Sequence, residues 1–282
     1  MEKVDQELRF FSEAGWKLKE LLWLESYPVA FRFIENEGEV PEKVFRPKRD
    51  GGYHLAQCQA FALSRRNRRT VVMLKEDHWC WAPLVAYGLV PKPDEFISGD
   101  IFYPRLIQHK EKAAEIAQEH PVLPEGKYIG IISAPLTDVT FVPQGVLVYC
   151  SPVQLRILLT AYSYIEGRMM TTSLFPLNSC VFSIVPIIKE RSCRITIPDP
   201  GEYQRAAVSE NEVIFSMPAE RLEDIIKALE HLERLEQGYK HQTREMRPDF
   251  ARPEFYDKLF RLWKLEVKDV TWCGGAEFKR RE

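Results

Sequence analysis

The chain has 282 residues, of which 45% are hydrophobic and 28% are charged, and these proportions are typical of a globular protein and exclude a disordered one. Its 39 lysines and arginines nearly balance 41 aspartates and glutamates, so no global field attracts nucleic acid or an anionic membrane. We therefore expect the partners to be small molecules or proteins, including a second copy of the chain, and we do not expect nucleic acid.

The sequence also bears on the compartment. Residues 1–7 are polar and charged, and they lack the basic region and apolar core that a secretory signal requires. The longest apolar runs, such as residues 181–188, are far shorter than the roughly 20 residues that cross a bilayer. We therefore expect a cytoplasmic protein with no membrane partner, whose six cysteines are thiols, metal ligands or catalytic groups rather than disulfides.

Helix and strand patterns alternate through the first 90 residues. The order is a helix over 7–24, a strand over 27–34, a polar loop over 35–52, a helix that bears Cys58, a strand over 70–74 and a helix over 78–89 that bears Cys80. Both cysteines are predicted near helix starts, where unpaired backbone amides favour thiolates. The alternative is that each is a buried thiol that packs as a small hydrophobe.

The rest of the chain continues the pattern. We predict a helix over 110–119, strands over 127–135 and 145–150, a helix from Ser151 to Tyr164, a helical start before Cys180, strands over 194–197 and 212–216, and an amphipathic helix over 218–235. These elements predict an α+β fold, with a mixed sheet flanked by helices in a single main domain over 1–240. Residues 241–282 are predicted to be a helical or irregular extension that includes Cys273.

The sharpest charge run is Arg65-Arg66-Asn67-Arg68-Arg69. Such a run can form a phosphate or nucleic-acid patch. It can equally be solvated at a helix C-terminus, where it complements the helix dipole, and we favour this interpretation. A third alternative is that one arginine reaches inward to a carboxylate.

Several short motifs carry a family resemblance. They are Tyr27-Pro28-Val29-Ala30, Cys58, the Cys80 segment that closes with Tyr87-Gly88-Leu89, Ala134-Pro135-Leu136, Cys180-Val181 and Met217-Pro218. In this order they resemble family 169 of the domains of unknown function over residues 15–237. The resemblance implies that Cys58, Cys80 and Cys180 match cysteines of the family. The chain departs from it at the bulky Trp81 and in residues 198–205, which contain no cysteine.

Three cysteines on separate elements do not form a structural zinc site, which normally closes with four ligands. They suit an iron–sulfur cluster with one iron left open, which we suspect is [4Fe–4S], or a three-thiolate metal site. We therefore expect Cys58, Cys80 and Cys180 to bind the cofactor. An open iron would carry redox or lyase chemistry on a small anionic substrate.

Other polar residues are candidates for the surroundings of the cysteines. His54 and His78 are candidates for a fourth ligand or an acid–base group, although each can instead be a capping or solvated histidine. Lys75 and Arg65 are candidates for holding the anionic substrate. The catalytic residues, and whether the protein is an enzyme, stay open.

The alternative from another class is a metal-free protein that binds a small molecule or assembles with a partner through Trp79 and Trp81. A tetrapyrrole-binding protein falls between the two, because cysteine or histidine can be an axial ligand. Fingerprints of serine hydrolases, dinucleotide-binding folds and P-loops do not occur in the sequence. Visible absorption separates the coloured alternatives from the colourless one.

Overall fold

The computed structural model describes residues 2–242 and 254–264. The chain divides into two compact units, Met1–His241 and Gln242–Glu282. The second unit contributes one described helix, α11 (Glu254–Leu262), where a short helix was predicted. Cys273 lies outside the described residues.

The first unit contains helices on both sides of one sheet. Its described helices are α1 (Glu2–Leu22), α2 (Gln57–Asn67), α3 (Trp81–Ala86), α4 (Asp94–Ile97), α5 (Lys110–Glu119), α6 (Pro152–Glu166), α7 (Ser179–Phe182), α8 (Val185–Glu190), α9 (Pro200–Arg205) and α10 (Leu222–Arg234). Its described strands are β1 (Val29–Ile34), β2 (Val71–Leu74), β3 (Gly130–Pro135), β4 (Gly145–Cys150), β5 (Arg194–Thr196) and β6 (Val213–Pro218). The predicted α+β class is confirmed.

The six strands form a sheet in the order β2-β3-β1-β4-β6-β5. Each pairing in it is antiparallel, whereas the sequence had suggested a mixed sheet. Among the described strands, consecutive ones pair only in β2–β3 and β5–β6, and strands that run in the same direction, such as β1 and β2, are separated in the sheet by a strand of the opposite direction. β1 is central, pairing with β3 from Val29↔Pro135 to Ile34↔Gly130 and with β4 on its other edge.

Alternate residues of β1 divide the core into two layers. Ala30 and Ile34 face a layer formed with α1, α6 and α10, whereas Phe31 and Phe33 face a layer that includes Phe61 of α2 and other residues of α2, α3, α7 and α8. Successive side chains of a strand point to opposite faces, so a strand covered on both sides reads as a continuous apolar run. The second layer contains the three cysteine-bearing helices α2, α3 and α7.

The structure differs from the prediction mainly in short helices. The sequence analysis did not identify α4, α8 or α9, and α3 is shorter than the predicted helix over 78–89. α10 begins at Leu222 because β6 runs to Pro218 and a turn intervenes. In the part of the chain described here, no helix is both long and apolar enough to cross a membrane.

The start of α6 has a capping box formed by Ser151 and Gln154. Ser151 Oγ accepts a hydrogen bond from the Gln154 amide at 3.3 Å, and Gln154 Oε1 accepts one from the Ser151 amide at 2.7 Å. Together they satisfy two amides that helix geometry leaves unpaired. Gly167 ends the helix as its C-cap, with φ 64°, a left-handed conformation that glycine adopts readily.

We expect Ser151→Ala to lower the free energy of unfolding by about 1 kcal/mol, because the cap hydrogen bond is lost. Urea unfolding of the full chain measures this loss. Thr160→Ala on the same helix is the control, since its hydroxyl bonds only to the exposed Arg156 carbonyl one turn earlier. Its change is expected to stay within about 0.5 kcal/mol. Equal losses in the two variants would contradict the assigned cap.

Candidate functional site

Cys58 and Cys80 are brought together by a short backbone contact between two segments. Leu55 and His78 form an isolated parallel bridge, in which the Leu55 amide donates to the Asp77 carbonyl at 3.0 Å and the Trp79 amide donates to the Leu55 carbonyl at 2.8 Å. Cys58 follows three residues after the bridge on one side, and Cys80 two residues after it on the other. Both side chains pack in one small apolar cluster with Ala56 and Ala206.

Cys180, on α7, lies next to the cluster that contains Cys58 and Cys80. The Tyr87 hydroxyl donates to the Cys180 carbonyl at 2.8 Å, which ties the end of α3 to α7. Cys80 packs both in the small cluster that contains Cys58 and against the larger layer that contains Cys180. The structure therefore brings Cys58, Cys80 and Cys180 together, although they are far apart in sequence.

All three cysteines lie near helix starts, as predicted. Cys58 and Cys180 are the second residues of α2 and α7, and Cys80 is the N-cap of α3. The expectation that these positions favour thiolates is wrong for the metal-free chain. Burial is the main cause that raises the pKa of each thiol, and the nearby carboxylates Asp199 and Glu202 raise the pKa of Cys58 further.

Glu202 of α9 is a buried carboxyl beside the cysteines. Its Oε1 accepts a hydrogen bond from Ser179 Oγ at 2.5 Å, and the buried Tyr149 hydroxyl lies close enough to interact with the same carboxyl. Burial raises the pKa of Glu202 to about 7, and the Ser179 hydrogen bond and the positive charge of Arg65 oppose this rise. Asp199 fixes α9 against α7, since its carboxylate accepts from the amides of both Glu202 and Ser179.

Arg65 is not the solvated residue that we favoured, because its side chain is 1% exposed. Its guanidinium donates to both carboxylate oxygens of Glu212, at 2.7 and 3.1 Å, and to Ser26 Oγ at 3.1 Å. It also lies over the Tyr149 ring, 4.1 Å from the centroid. The third alternative, an arginine that reaches inward to a carboxylate, therefore describes Arg65, and its donors are not free to hold a substrate.

The other predicted neighbours separate into buried and exposed residues. His78 is buried, neither ring nitrogen has a hydrogen-bond partner, and burial lowers its pKa to about 4, so it is neutral near pH 7. His54 and Lys75 are exposed. Gln57, which was not predicted, is fully buried beside Cys58, and its amide oxygen and nitrogen have no partners.

The side chains at the site are of the chemical types that bind an iron–sulfur cluster. The three cysteines lie in adjoining clusters, and His78 is a buried neutral imidazole whose ring nitrogens have no hydrogen-bond partner among the described residues. Within residues 2–242 and 254–264, no three or more His, Cys, Asp or Glu side chains are arranged to hold a single metal ion. A multi-iron cluster is larger than one ion, so its sulfur ligands stand further apart than those around a single zinc.

The sequence analysis missed Glu202, Asp199 and Ser179. A signal was present, because Asp199-Pro200 followed by Glu202 is a typical helix start, with a capping residue, proline at the first position and an acidic residue in the first turn. The absence of cysteine from residues 198–205 had drawn attention away from it. The buried partner of that segment could not be read from the sequence.

Comparisons with known proteins place the chain in an evolutionary group. A model of the DUF169 family, described as Uncharacterised ArCR, matches residues 17–228, a range that contains all three cysteines. The chain is also similar to the uncharacterized protein MJ0308 of Methanocaldococcus jannaschii, with 24% identity over 227 residues that cover 78% of this chain and 93% of that protein. No solved structure is detectably similar.

Proposed function

The chain belongs to the DUF169 family, and we propose that it is a cytoplasmic iron–sulfur protein in which Cys58, Cys80 and Cys180 hold a [4Fe–4S] cluster with one iron open to a small anionic substrate. The observation that carries the proposal is the convergence of three thiols from α2, α3 and α7. The raised pKa of these thiols is a cost to ligation, because their protons must be released, and a positively charged metal centre would offset it.

When bound, the cluster would supply a Lewis-acidic iron for redox or lyase chemistry. Around it, the residues of the chain have distinct properties. Glu202 can hold or release a proton near neutral pH, since burial raises its pKa to about 7. Gln57 and neutral His78 offer buried hydrogen-bonding atoms without partners, which a bound molecule could satisfy. Cys80 is the most exposed of the three cysteines and marks the solvent side.

A metal-free binding protein is the second candidate. Neutral thiols and the unpartnered atoms of Gln57 and His78 favour it, because a small organic ligand could satisfy them without metal. Trp79 and Trp81, 64% and 41% exposed, could then anchor a protein partner or a second copy of the chain. A tetrapyrrole with His78 as axial ligand is the coloured variant of this candidate.

The test is anaerobic purification followed by a visible spectrum and assays for iron, sulfide, zinc and haem. We expect brown protein with iron and sulfide, and loss of both in Cys58→Ala, Cys80→Ala and Cys180→Ala. Cys193→Ala is the matched control, because Cys193 is also buried but packs in the layer on the other face of the sheet. Its iron content should equal that of the wild type.

Circular dichroism establishes that each variant is folded. Colourless wild-type protein without iron would overturn the proposal and favour the metal-free candidate. Haem in place of sulfide would favour the tetrapyrrole. Iron that survives in the three variants would show that other residues bind it.

A further inference from the structure

Arg205 lies at the edge of the three-cysteine site. It is the last residue of α9, the helix that also carries Glu202, and its Nε donates to the Gly201 carbonyl at 3.1 Å. Its guanidinium lies 5.0 Å from the centroid of the exposed Trp79 ring. Because Trp79 immediately precedes Cys80, this stacking holds the guanidinium next to the cysteine segment.

The charge of Arg205 acts on the cysteines. It lowers the pKa of both Cys58 and Cys80, against the larger effect of burial. Asp199 raises the pKa of both thiols, and Glu202 raises the pKa of Cys58. Asp199 and Arg205 flank Gly201, but no salt bridge joins them in the described part of the chain, and the carboxylate of Asp199 accepts from the backbone amides of Ser179 and Glu202.

Arg65 and Lys75, which the sequence suggested for holding the anionic substrate, do not lie beside the cysteines in the way that Arg205 does. The donors of Arg65 bond to Glu212 and Ser26, and Lys75 is exposed. Among the positively charged groups of the described residues, Arg205 is therefore the one whose field reaches Cys58 and Cys80.

We infer that Arg205 binds the acidic group of the substrate beside the three-cysteine site, and that the substrate is a small carboxylic acid. The planar guanidinium matches a carboxylate with two parallel hydrogen bonds. A monoanion suits the site better than a dianionic phosphate, because Asp199 and Glu202 add negative charge nearby. Trp79 orients the guanidinium. The inference rests on the proposed function, which supplies the reaction and its anionic substrate.

Two matched alkylating reagents test the inference without knowledge of the substrate. The full-length chain is stripped of metal with a chelator under argon and treated with anionic iodoacetate or neutral iodoacetamide, and the modification rate at Cys80 is followed by peptide mass spectrometry. Any effect of Arg205 on the thiolate fraction is the same for both reagents. The ratio of the two rates therefore reports attraction of the carboxylate alone.

We expect Arg205→Gln to lower the iodoacetate-to-iodoacetamide ratio by about threefold, as one charge several ångströms away in a high-dielectric setting implies. Arg205→Lys should keep most of the ratio. Arg156→Gln is the control for net charge, because Arg156 is an exposed residue of α6 on the other side of the sheet. Its ratio should equal that of the wild type.

An unchanged ratio in Arg205→Gln, or an equal fall in Arg156→Gln, would overturn the inference. Iron and sulfide are measured in the same proteins before the metal is removed. A wild type without iron that still shows the fall in Arg205→Gln would overturn the cluster and keep the carboxylate site. Iron-containing protein whose ratio does not change in Arg205→Gln would keep the cluster and overturn the carboxylate site.

Discussion

Arg65→Met is expected to lower the free energy of unfolding by about 3 kcal/mol, because removal of one partner leaves a buried charge uncompensated. Glu212 would lose two hydrogen bonds, at 2.7 and 3.1 Å, and would keep only the more distant Arg66 guanidinium at 3.4 Å and the Ser209 amide. Methionine retains an apolar stem but removes the guanidinium that lies over the Tyr149 ring. The loss therefore combines charge, hydrogen bonding and this ring contact, and urea unfolding of the full chain measures it.

Arg68→Met is the matched control from the same charge run. Arg68 makes a two-pronged pair with Asp138, but both side chains are largely exposed, so solvent screens the pair and the loss should be much smaller. The double variant Arg65→Met/Glu212→Gln should recover part of the loss, because it removes both buried charges. Equal losses for Arg65→Met and Arg68→Met would contradict a stabilising buried pair.

The charge run illustrates how much of the fold the sequence can predict. Cys58, Phe61 and Arg65 follow helical spacing, so the pattern placed Arg65 on the buried face of α2. The positive charge of Arg65 suggested instead that its side chain is exposed to solvent. The carboxylate that compensates it, Glu212, lies 147 residues later, and no local rule connects the two positions. Strands and long helices were predictable from periodicity, whereas this pairing depends on tertiary structure.

For the three-cysteine site too, the local positions were predictable from the sequence and the tertiary contacts were not. Helix-start signals located the three cysteines correctly, but their convergence depends on the Leu55–His78 bridge and on the hydrogen bond from Tyr87 to Cys180. Both are contacts between distant segments. The six-residue helix α9, which brings Asp199, Glu202 and Arg205 to the cysteines, is too short for a periodic pattern to reveal it.

Magnitudes explain why the thiols are neutral although they lie at helix starts. A helix terminus stabilises a nearby charge by typically 0.3 to about 1 kcal/mol. Full burial of an ionisable group can shift its pKa by several units, and each unit corresponds to about 1.4 kcal/mol. Burial therefore dominates at Cys180, which is 5% exposed, and the helix start has the smaller effect.

The same burial makes Glu202 the source of a pH-dependent stability. Its pKa is about 7 in the folded chain, against an ordinary value of 4.5, so the folded state holds this proton more tightly than the unfolded state does. The contribution to stability is fully present below pH 4.5 and is lost as the pH rises through 7. The difference of 2.5 units corresponds to roughly 3 kcal/mol.

We therefore expect the free energy of unfolding of the metal-free wild type, relative to that of Glu202→Gln, to fall by about 3 kcal/mol between pH 4.5 and pH 7 and then to stay constant. Glutamine does not titrate, and its amide oxygen can still accept the hydrogen bond from Ser179. Burial lowers the pKa of His78 and His120 to about 4, which has the opposite pH dependence, but both histidines are present in both proteins and cancel in the difference. Urea unfolding of both proteins at half-unit pH intervals measures this difference in the free energy of unfolding. A difference that does not vary with pH would mean that Glu202 has an ordinary pKa, and it would remove the neutral carboxyl from the site.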